Sequence, residues 1–519
     1  MRLSRHFLAL LAAPALALGG CAQQSGVESA AARPALDEAE RRFAADFDTF
    51  ITSSMTRLAT IPGLSVAVAR GDGPIFTRGY GLADIERNVP ATASTRFYIA
   101  SSTKSFVALA LALLDRRGVV DLDWTLAELA PGVAFAPELR AGEVTLRHLL
   151  SHSHGLSSEV IQFRLAYSGQ HDSATLWRLL PSLRPNRQAP LGTFDYGNIG
   201  YNIAALLIER RLGRTWQDIL QDEVLAPLGA RETHSTGLEA LRSRHAFAAP
   251  YFGAGPSGPE RLPLLKIDSN MQSAGGMFSS ANDLARWVAL QLAARRGTRR
   301  LPFPAEVVAA THEPVATTDA SFGPFRRTGY GLGWYSGPYG GETLYHSFGG
   351  YSGARSHVSF MPARDLGVAI LTNDEGAGSV FVDIAAAYAY AWFAEGPAAA
   401  QAQVEPMMEQ LLTRTRERTA SIAADRERRA SRTWRLRLPR QAYSGRYCSA
   451  EMGTIEVAAD AERIAVAMGA MNSIATPFTE PDSIRVEMIP YQGAPMSFVT
   501  EGDRVVALRA FDTIFRKCG

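Results

Sequence analysis

A serine hydroxyl and a lysine amine lie one helical turn apart in Ser101-Ser102-Thr103-Lys104. At i, i+3 on a helix the two side chains point the same way. The run that follows, from Ser105 through Phe106 to Leu114, is apolar on nearly every face, and Arg116, Arg117 and Gly118 supply a cationic last turn and a stop. A helix of that kind is buried. Lysine at its N-terminal end loses hydration and faces the positive end of the helix dipole, so its pKa is expected to fall. A neutral amine beside a serine hydroxyl is a nucleophile with its base. Alone the pattern is weak, because a chain of this length holds about one or two Ser-x-x-Lys copies by chance.

A second group with chemical capacity lies some ninety residues on, in Tyr196-Gly197-Asn198. Gly and Asn interrupt the local periodicity, which places Tyr196 and Asn198 on a loop opening the apolar helix Ile203 to Glu209. A tyrosine there offers a phenolate if a lysine cation lowers its pKa, and Asn198 can hold both an amine and a substrate amide. An ordinary turn is the plain alternative. His148, His152 and His154 include an i, i+4 pair that could ligate zinc, but no H-E-x-x-H arrangement accompanies them and a structural role is expected. Gly350-Tyr351-Ser352-Gly353-Ala354 half-resembles a nucleophile elbow, without the final Gly or a following helix.

The elements that must position these groups are helices and short strands, from about residue 46 to 398. Gly63 to Arg70 and Gly73 to Gly79 read as one hairpin, and Ser356 to Met361 with Gly367 to Thr372 as another. Strands at both ends with helices between predict an α+β fold, with an antiparallel sheet built from distant segments. Residues 399–433 are charge-rich with few large apolar residues and read as a solvated helical connector. Residues 434–519 carry short, evenly spaced strands, which predicts a small all-β barrel or sandwich. Tyr443 and Tyr447 are expected as core or barrel-rim residues rather than a ligand platform.

A formal net charge of +2 leaves no electrostatic case for nucleic acid. Arg2 and Arg5 precede a short apolar run that ends in Leu18-Gly19-Gly20-Cys21. This resembles a bacterial lipoprotein signal, with residues 1–20 removed, Cys21 lipidated and residues 21–45 as a tether. A generic secretory peptide is the alternative. Acyl chains on Cys21 would hold the chain on a membrane of the cell envelope, on the periplasmic side, with Ala22 resembling outer-membrane lipoproteins. Cys448 and Cys518 remain, an even pair that suggests a disulfide in an exported chain, with two buried free thiols as the alternative.

Six segments now stand in one order: Tyr98 to Phe106, Thr145 to Leu156, Tyr196 to Asn198, Ser273 to Trp287, Tyr330 to Trp334, and Leu366 to Asn373. Together they resemble the serine hydrolase family of class C β-lactamases, DD-carboxypeptidases and related esterases, over about residues 46–395. The resemblance implies a β-lactamase/DD-peptidase-like fold: an antiparallel sheet flanked by helices, with a helical subdomain. It makes Ser101 the acylated nucleophile, Lys104 its proton partner, Tyr196 the general base and Asn198 a contact for the substrate amide. The backbone N–H groups of Ser101 and Gly350 would form the oxyanion hole.

The family usually carries Lys-Thr-Gly or His-x-Gly on a strand lining the site. Here that strand reads Tyr345-His346-Ser347-Phe348-Gly349-Gly350, and spacing to Gly349 and Gly353 places Ser347 rather than His346 at the Lys/His position. A slip of one residue turns side chains to the opposite face, so only one of the two can line the site. Neither supplies a lysine-type cation. The resemblance therefore implies an esterase or D-aminoacyl peptidase before a weak β-lactamase, with no cofactor and no metal. A non-catalytic lipoprotein that binds penicillin or peptidoglycan fragments is the competing reading.

Overall fold

The computed structural model describes residues 35–519 apart from Ser243 and Arg299. The expected signal segment, Cys21 and most of the expected tether lie outside the described residues. Helix α1 (Glu38–Leu58) starts within that tether stretch. Asp37 accepts from the Glu40 N–H at 2.7 Å, and the Glu40 carboxylate accepts from the Asp37 N–H at 3.2 Å. This capping box starts the helix, and Phe43, Phe47, Phe50 and Ile51 form the stripe that holds it to the core.

Nine strands form one antiparallel sheet. In chain order they are β1 (Gly63–Arg70), β2 (Gly73–Asp84), β3 (Val89–Pro90), β4 (Ala316–Phe322), β5 (Phe325–Tyr330), β6 (Tyr335–Tyr339), β7 (Glu342–Tyr351), β8 (Ala354–Met361) and β9 (Leu366–Thr372). Their spatial order is β4-β5-β6-β7-β8-β9-β1-β2-β3. Leu64 pairs with Thr372, so the two ends of the catalytic region meet in the middle of the sheet. Both faces are covered. Val66, Val68, Val368 and Ile370 pack toward α1 and α5 (Gly378–Glu395), while Ala67, Ala69, Ala369 and Leu371 pack toward α4 (Ala281–Arg295) and the helical region. Burial on two faces explains why β1 and β9 read as continuous apolar runs rather than alternating ones.

The charged stretch after residue 398 is indeed helical, α6 (Pro397–Ala430). One face of its first half is not solvated, however: Ala400, Val404, Met408 and Leu411 are buried in the core shared with α1 and α5. Spacings of four, four and three residues put them on one face.

The C-terminal region is a second nine-stranded antiparallel sheet, nearly closed into a barrel. Near its open seam the Glu487 N–H donates to Ser473 Oγ at 2.8 Å. Tyr443 and Tyr447 lie in its interior with Ile455, Phe498 and Phe515. Cys448 and Cys518 are joined by a disulfide with Cα atoms 5.9 Å apart. The barrel docks on residues 164–170: the Ala470 N–H donates to the Ser168 carbonyl at 2.8 Å, and Gln170 bonds both backbone groups of Thr454. The Tyr351 hydroxyl donates to the Ala166 carbonyl at 2.8 Å, so the barrel braces the segment that touches the end of β7. Among the described residues no helix is long and apolar enough to cross a membrane.

Candidate active site

Ser101 sits in a single 3-10 turn, Ala100–Ser102, that runs directly into α2 (Thr103–Arg116). Ala100 before it has φ +43°, a left-handed conformation that a non-glycine residue holds only when its surroundings enforce it. Every residue from Thr103 to Leu114 is buried, as the apolar run requires.

Lys104 Nζ lies 3.1 Å from Ser101 Oγ, 2.9 Å from Asn198 Oδ1 and 2.7 Å from the Ala274 carbonyl. Burial brings its pKa down to about 7. A neutral amine has two N–H bonds and one lone pair. Asn198 and Ala274 offer only acceptors, so they take the two N–H bonds and the lone pair is left for the Ser101 hydroxyl. Helix α3 (Ile199–Leu212) secures both acceptors: Asn198 is its N-cap, and Asn202 Oδ1 accepts from the Ala274 N–H at 3.1 Å.

Tyr196 is half-buried, with its ring centroid 5.0 Å from Lys104 Nζ, and it interacts with the Ser101 hydroxyl. The expected lowering of its pKa does not occur; burial pushes the phenol up to about 12. Arg327 and Arg355 act to lower it, but desolvation outweighs them. His152 props the same loop: its Nδ1 accepts from the Gly197 N–H at 3.4 Å, so its Nε2 proton points at the Tyr330 hydroxyl 3.1 Å away. His154 accepts from the Leu156 N–H and His148 bonds Thr145 in a cap, so the three histidines do not converge on one point.

On β7, a Cβ at Gly349 would lie 1.9 Å from the Ile99 carbonyl, so glycine lets the strand press against the nucleophile turn. Ser347 shares that face by strand alternation. His346 points the other way, 4.4 Å from the His357 ring, and its Nδ1 accepts from Arg327 Nη2 at 2.9 Å. Gly350 is exposed at the rim. Ser352 is buried and donates to the Leu264 carbonyl at 2.7 Å, which closes the elbow reading.

Two residues missed in the sequence change the electrostatics. Arg327 on β5 lies over the rings of Tyr335, Phe322 and Phe348 at 4.1, 4.2 and 4.7 Å. Arg355 on β8 lies over Phe322 and Phe348 at 4.6 and 5.1 Å, and a Cβ on Gly350 would lie 2.8 Å from its Nη1. Phe348 stacks near Tyr196, centroids 5.6 Å apart. Neither arginine forms an ion pair among the described residues, and the Nε of each is buried without a partner. The lysine position of β7 is empty of charge; Arg327 and Arg355 stand on the other face of that strand, with His346 and Phe348, and Arg355 reaches its rim at Gly350. The Ser352-Gly353 turn was a readable signal, since counting outward from it pairs Gly350 with Arg355.

The nearest acid, Asp383, is engaged elsewhere: His357 Nδ1 lies 2.7 Å from its Oδ1, and His357 Nε2 lies 2.7 Å from Ser359 Oγ. That serine-histidine-aspartate row is sealed under α5, with Ser359 and His357 fully buried. His346, His357 and Asp383 also bring their ligand atoms within 4.8 Å. Because arginine only donates, Nδ1 of His346 must accept, which leaves the proton on Nε2 and no free lone pair for a metal.

Comparison with known proteins agrees with this geometry. The Beta-lactamase family model matches residues 47–391. The chain is 29 % identical to the unguisins hydrolase ungD' of Aspergillus campestris, over 63 % of this chain and 60 % of that one, so it spans about 60 % of that curated relative's length. It is also 29 % identical to penicillin-binding protein 4 of Amycolatopsis lactamdurans, over 62 % of this chain and 84 % of that one. In fold it resembles the octameric penicillin-binding protein homologue of Pyrococcus abyssi, with a TM-score of 0.54, 21 % identity, and coverage of 91 % of this chain and 99 % of the other. With the family model spanning most of the chain and the Ser101–Lys104–Tyr196 group assembled at its centre, this protein belongs to the Beta-lactamase family.

Proposed function

We propose that this chain is a serine hydrolase that passes the acyl group of an amide or ester to Ser101 and then to water. The observation that carries this is Lys104, held as a buried amine with its lone pair toward the Ser101 hydroxyl. Lys104 takes the Ser101 proton as Oγ bonds the substrate carbonyl carbon. The Ser101 and Gly350 N–H groups carry the negative charge on the carbonyl oxygen. Tyr196, a phenol at rest, gives its proton to the leaving nitrogen or oxygen as that bond breaks, and recovers one from Lys104. Water then enters by the same route in reverse, releasing the acid and restoring Ser101.

Arg327 and Arg355 favour an acyl donor that carries a carboxylate near the scissile bond, such as a D-aminoacyl peptide, ahead of simple esters. Two relatives support an acyl-enzyme reading in their names alone, one a hydrolase and one a penicillin-binding protein. Ser101 and Lys104 standing together argue against a pocket that only binds.

The test is covalent. After treatment with a fluorophosphonate or a fluorescent penicillin, a tryptic digest is expected to carry the adduct on the peptide Phe97 to Lys104, alongside turnover of p-nitrophenyl acetate. An adduct elsewhere would remove Ser101 as nucleophile, and saturable penicillin binding without any adduct would establish the non-catalytic reading.

The place of action in this proposal is the cell envelope, with Cys21 lipidated as the anchor. Replacing it (Cys21→Ser) is expected to move the protein from the detergent-extracted membrane fraction to the soluble envelope fraction. An unchanged distribution would show that Cys21 is not the anchor.

A further inference from the structure

A cavity of about 380 Å³ lies behind the nucleophile turn, and none of Ser101, Lys104, Tyr196, Asn198 or Gly350 lines it. Its size suits a small organic ligand. One wall is aromatic: Tyr98 and Phe278 lie 5.2 Å apart between centroids, and Phe247 meets Phe278 edge-on at 5.1 Å. The lining is also cationic: the Arg242 guanidinium lies over Phe278 and Phe247, at 5.3 and 6.0 Å, and Arg87, Arg261 and Lys266 join it with one lining acid, Asp84.

That acid is already engaged, since Arg87 and Arg261 both pair with it, at 2.9 and 3.4 Å. Lys266 lies at the other end, only 4 % exposed, and its Nζ donates to the carbonyl of its own neighbour Ile267. It forms no ion pair among the described residues; Asp268, which acts on it electrostatically, has its oxygens on the Gly237 and Leu238 N–H groups. Burial holds the amine at about 7. Keeping a buried lysine beside the cavity without an ion-pair partner costs stability, and an arriving carboxylate would offset that cost.

We infer that this cavity is a second ligand site, for a small amphipathic carboxylate such as an aryl or branched acyl acid. The carboxylate pairs with Lys266 Nζ and the apolar body lies between Tyr98, Phe247 and Phe278. The site is wired to the catalytic amine. The Tyr98 hydroxyl donates to the Gly275 carbonyl at 2.5 Å, and the preceding carbonyl, Ala274, is an acceptor of Lys104. Tyr98 and Phe278 also pair backbone to backbone. A ligand against these two rings therefore bears on the loop that orients Lys104, whichever acyl donor the enzyme uses.

Phenylacetate and its neutral analogue phenylacetamide are the probes, titrated calorimetrically into the full chain. Phenylacetate is expected to bind, with phenylacetamide weaker by at least tenfold. Lys266→Met removes the cation at nearly constant volume and is expected to lose that preference. Leu265→Trp, at the cavity's exposed edge, fills it from outside without touching the core and is expected to abolish binding of both probes. Arg355→Ala is expected to leave binding intact, which separates this site from the catalytic cleft. Absence of phenylacetate binding to the wild type, equal affinity for the two probes, or loss of binding in Arg355→Ala with retention in Leu265→Trp would each overturn the inference.

Discussion

Replacing Lys104 with methionine is expected to lower kcat/KM by about 10³- to 10⁴-fold for every acyl donor, the contribution of a positioned general base. Methionine keeps the volume of the buried stem and removes the lone pair that faces Ser101 Oγ. In the wild type, kcat/KM should rise with pH through about 7, as Lys104 loses its proton, and then stay level, because Tyr196 does not ionise until about 12. Stability reports the same group independently of catalysis. The folded amine titrates at about 7 and the unfolded one at its ordinary 10.5, so between those values the unfolded chain holds the extra proton. Wild-type stability should therefore rise with pH in that window, by about 1.4 kcal/mol per pH unit for one proton. The methionine variant lacks this contribution and keeps that of Lys266, so any stability advantage it has near pH 7 should shrink steadily toward pH 10. Parallel denaturation curves across that range, or a rate limb rising only far above pH 7, would show that Lys104 is not a neutral amine.

Arg355→Ala is expected to cost about 10- to 100-fold in kcat/KM for a carboxylate-bearing donor such as an acyl-D-alanyl-D-alanine, the worth of a charged hydrogen bond. For p-nitrophenyl acetate, which has no carboxylate, the expected change is less than about threefold on the same reasoning. The guanidinium has no acidic partner of its own and lies beside Gly350, at the rim where the carbonyl must sit. Arg355→Lys should recover only part of the loss, since an ammonium cannot make the paired contact of a guanidinium fork. Equal losses on both substrates would mean that Arg355 only supports the Phe322–Phe348 packing. Arg327 makes the useful contrast. It already donates to His346 and lies over the Tyr335 ring, so its truncation should disturb Tyr335 and Tyr196 as well.

Much of the chain was readable before folding. The hairpins β1–β2 and β8–β9 stand within a few residues of their expected bounds, because each is a run of β-branched and apolar residues closed by a turn. Met471–Ile474 and Thr513–Lys517 were not read as strands, since each is four or five residues long with mixed polarity and gains its pairing from neighbours already in the barrel. The buried face of α6 was hidden among alanines and charges. Four well-spaced residues, Ala400, Val404, Met408 and Leu411, were enough to bury it once α1 and α5 presented a matching surface.

The reacting pair itself is local. Ser101 and Lys104 are one turn apart on one helix, so their meeting needs no other part of the chain, and spacing was sufficient to find them. Their chemistry is not local. The proton on Lys104 depends on how completely water is excluded, and the two acceptors that leave its lone pair to Ser101 arrive from 94 and 170 residues away. The same exclusion reverses the expected state of Tyr196, because desolvation raises the phenol by more than Arg327 and Arg355 lower it. The charge around the cleft comes from β5 and β8, whose arginines reach the end of β7 only through strand register. Spacing along a helix named the nucleophile; desolvation and sheet pairing, which act across the whole fold, decided which group holds the proton and what charge meets the substrate.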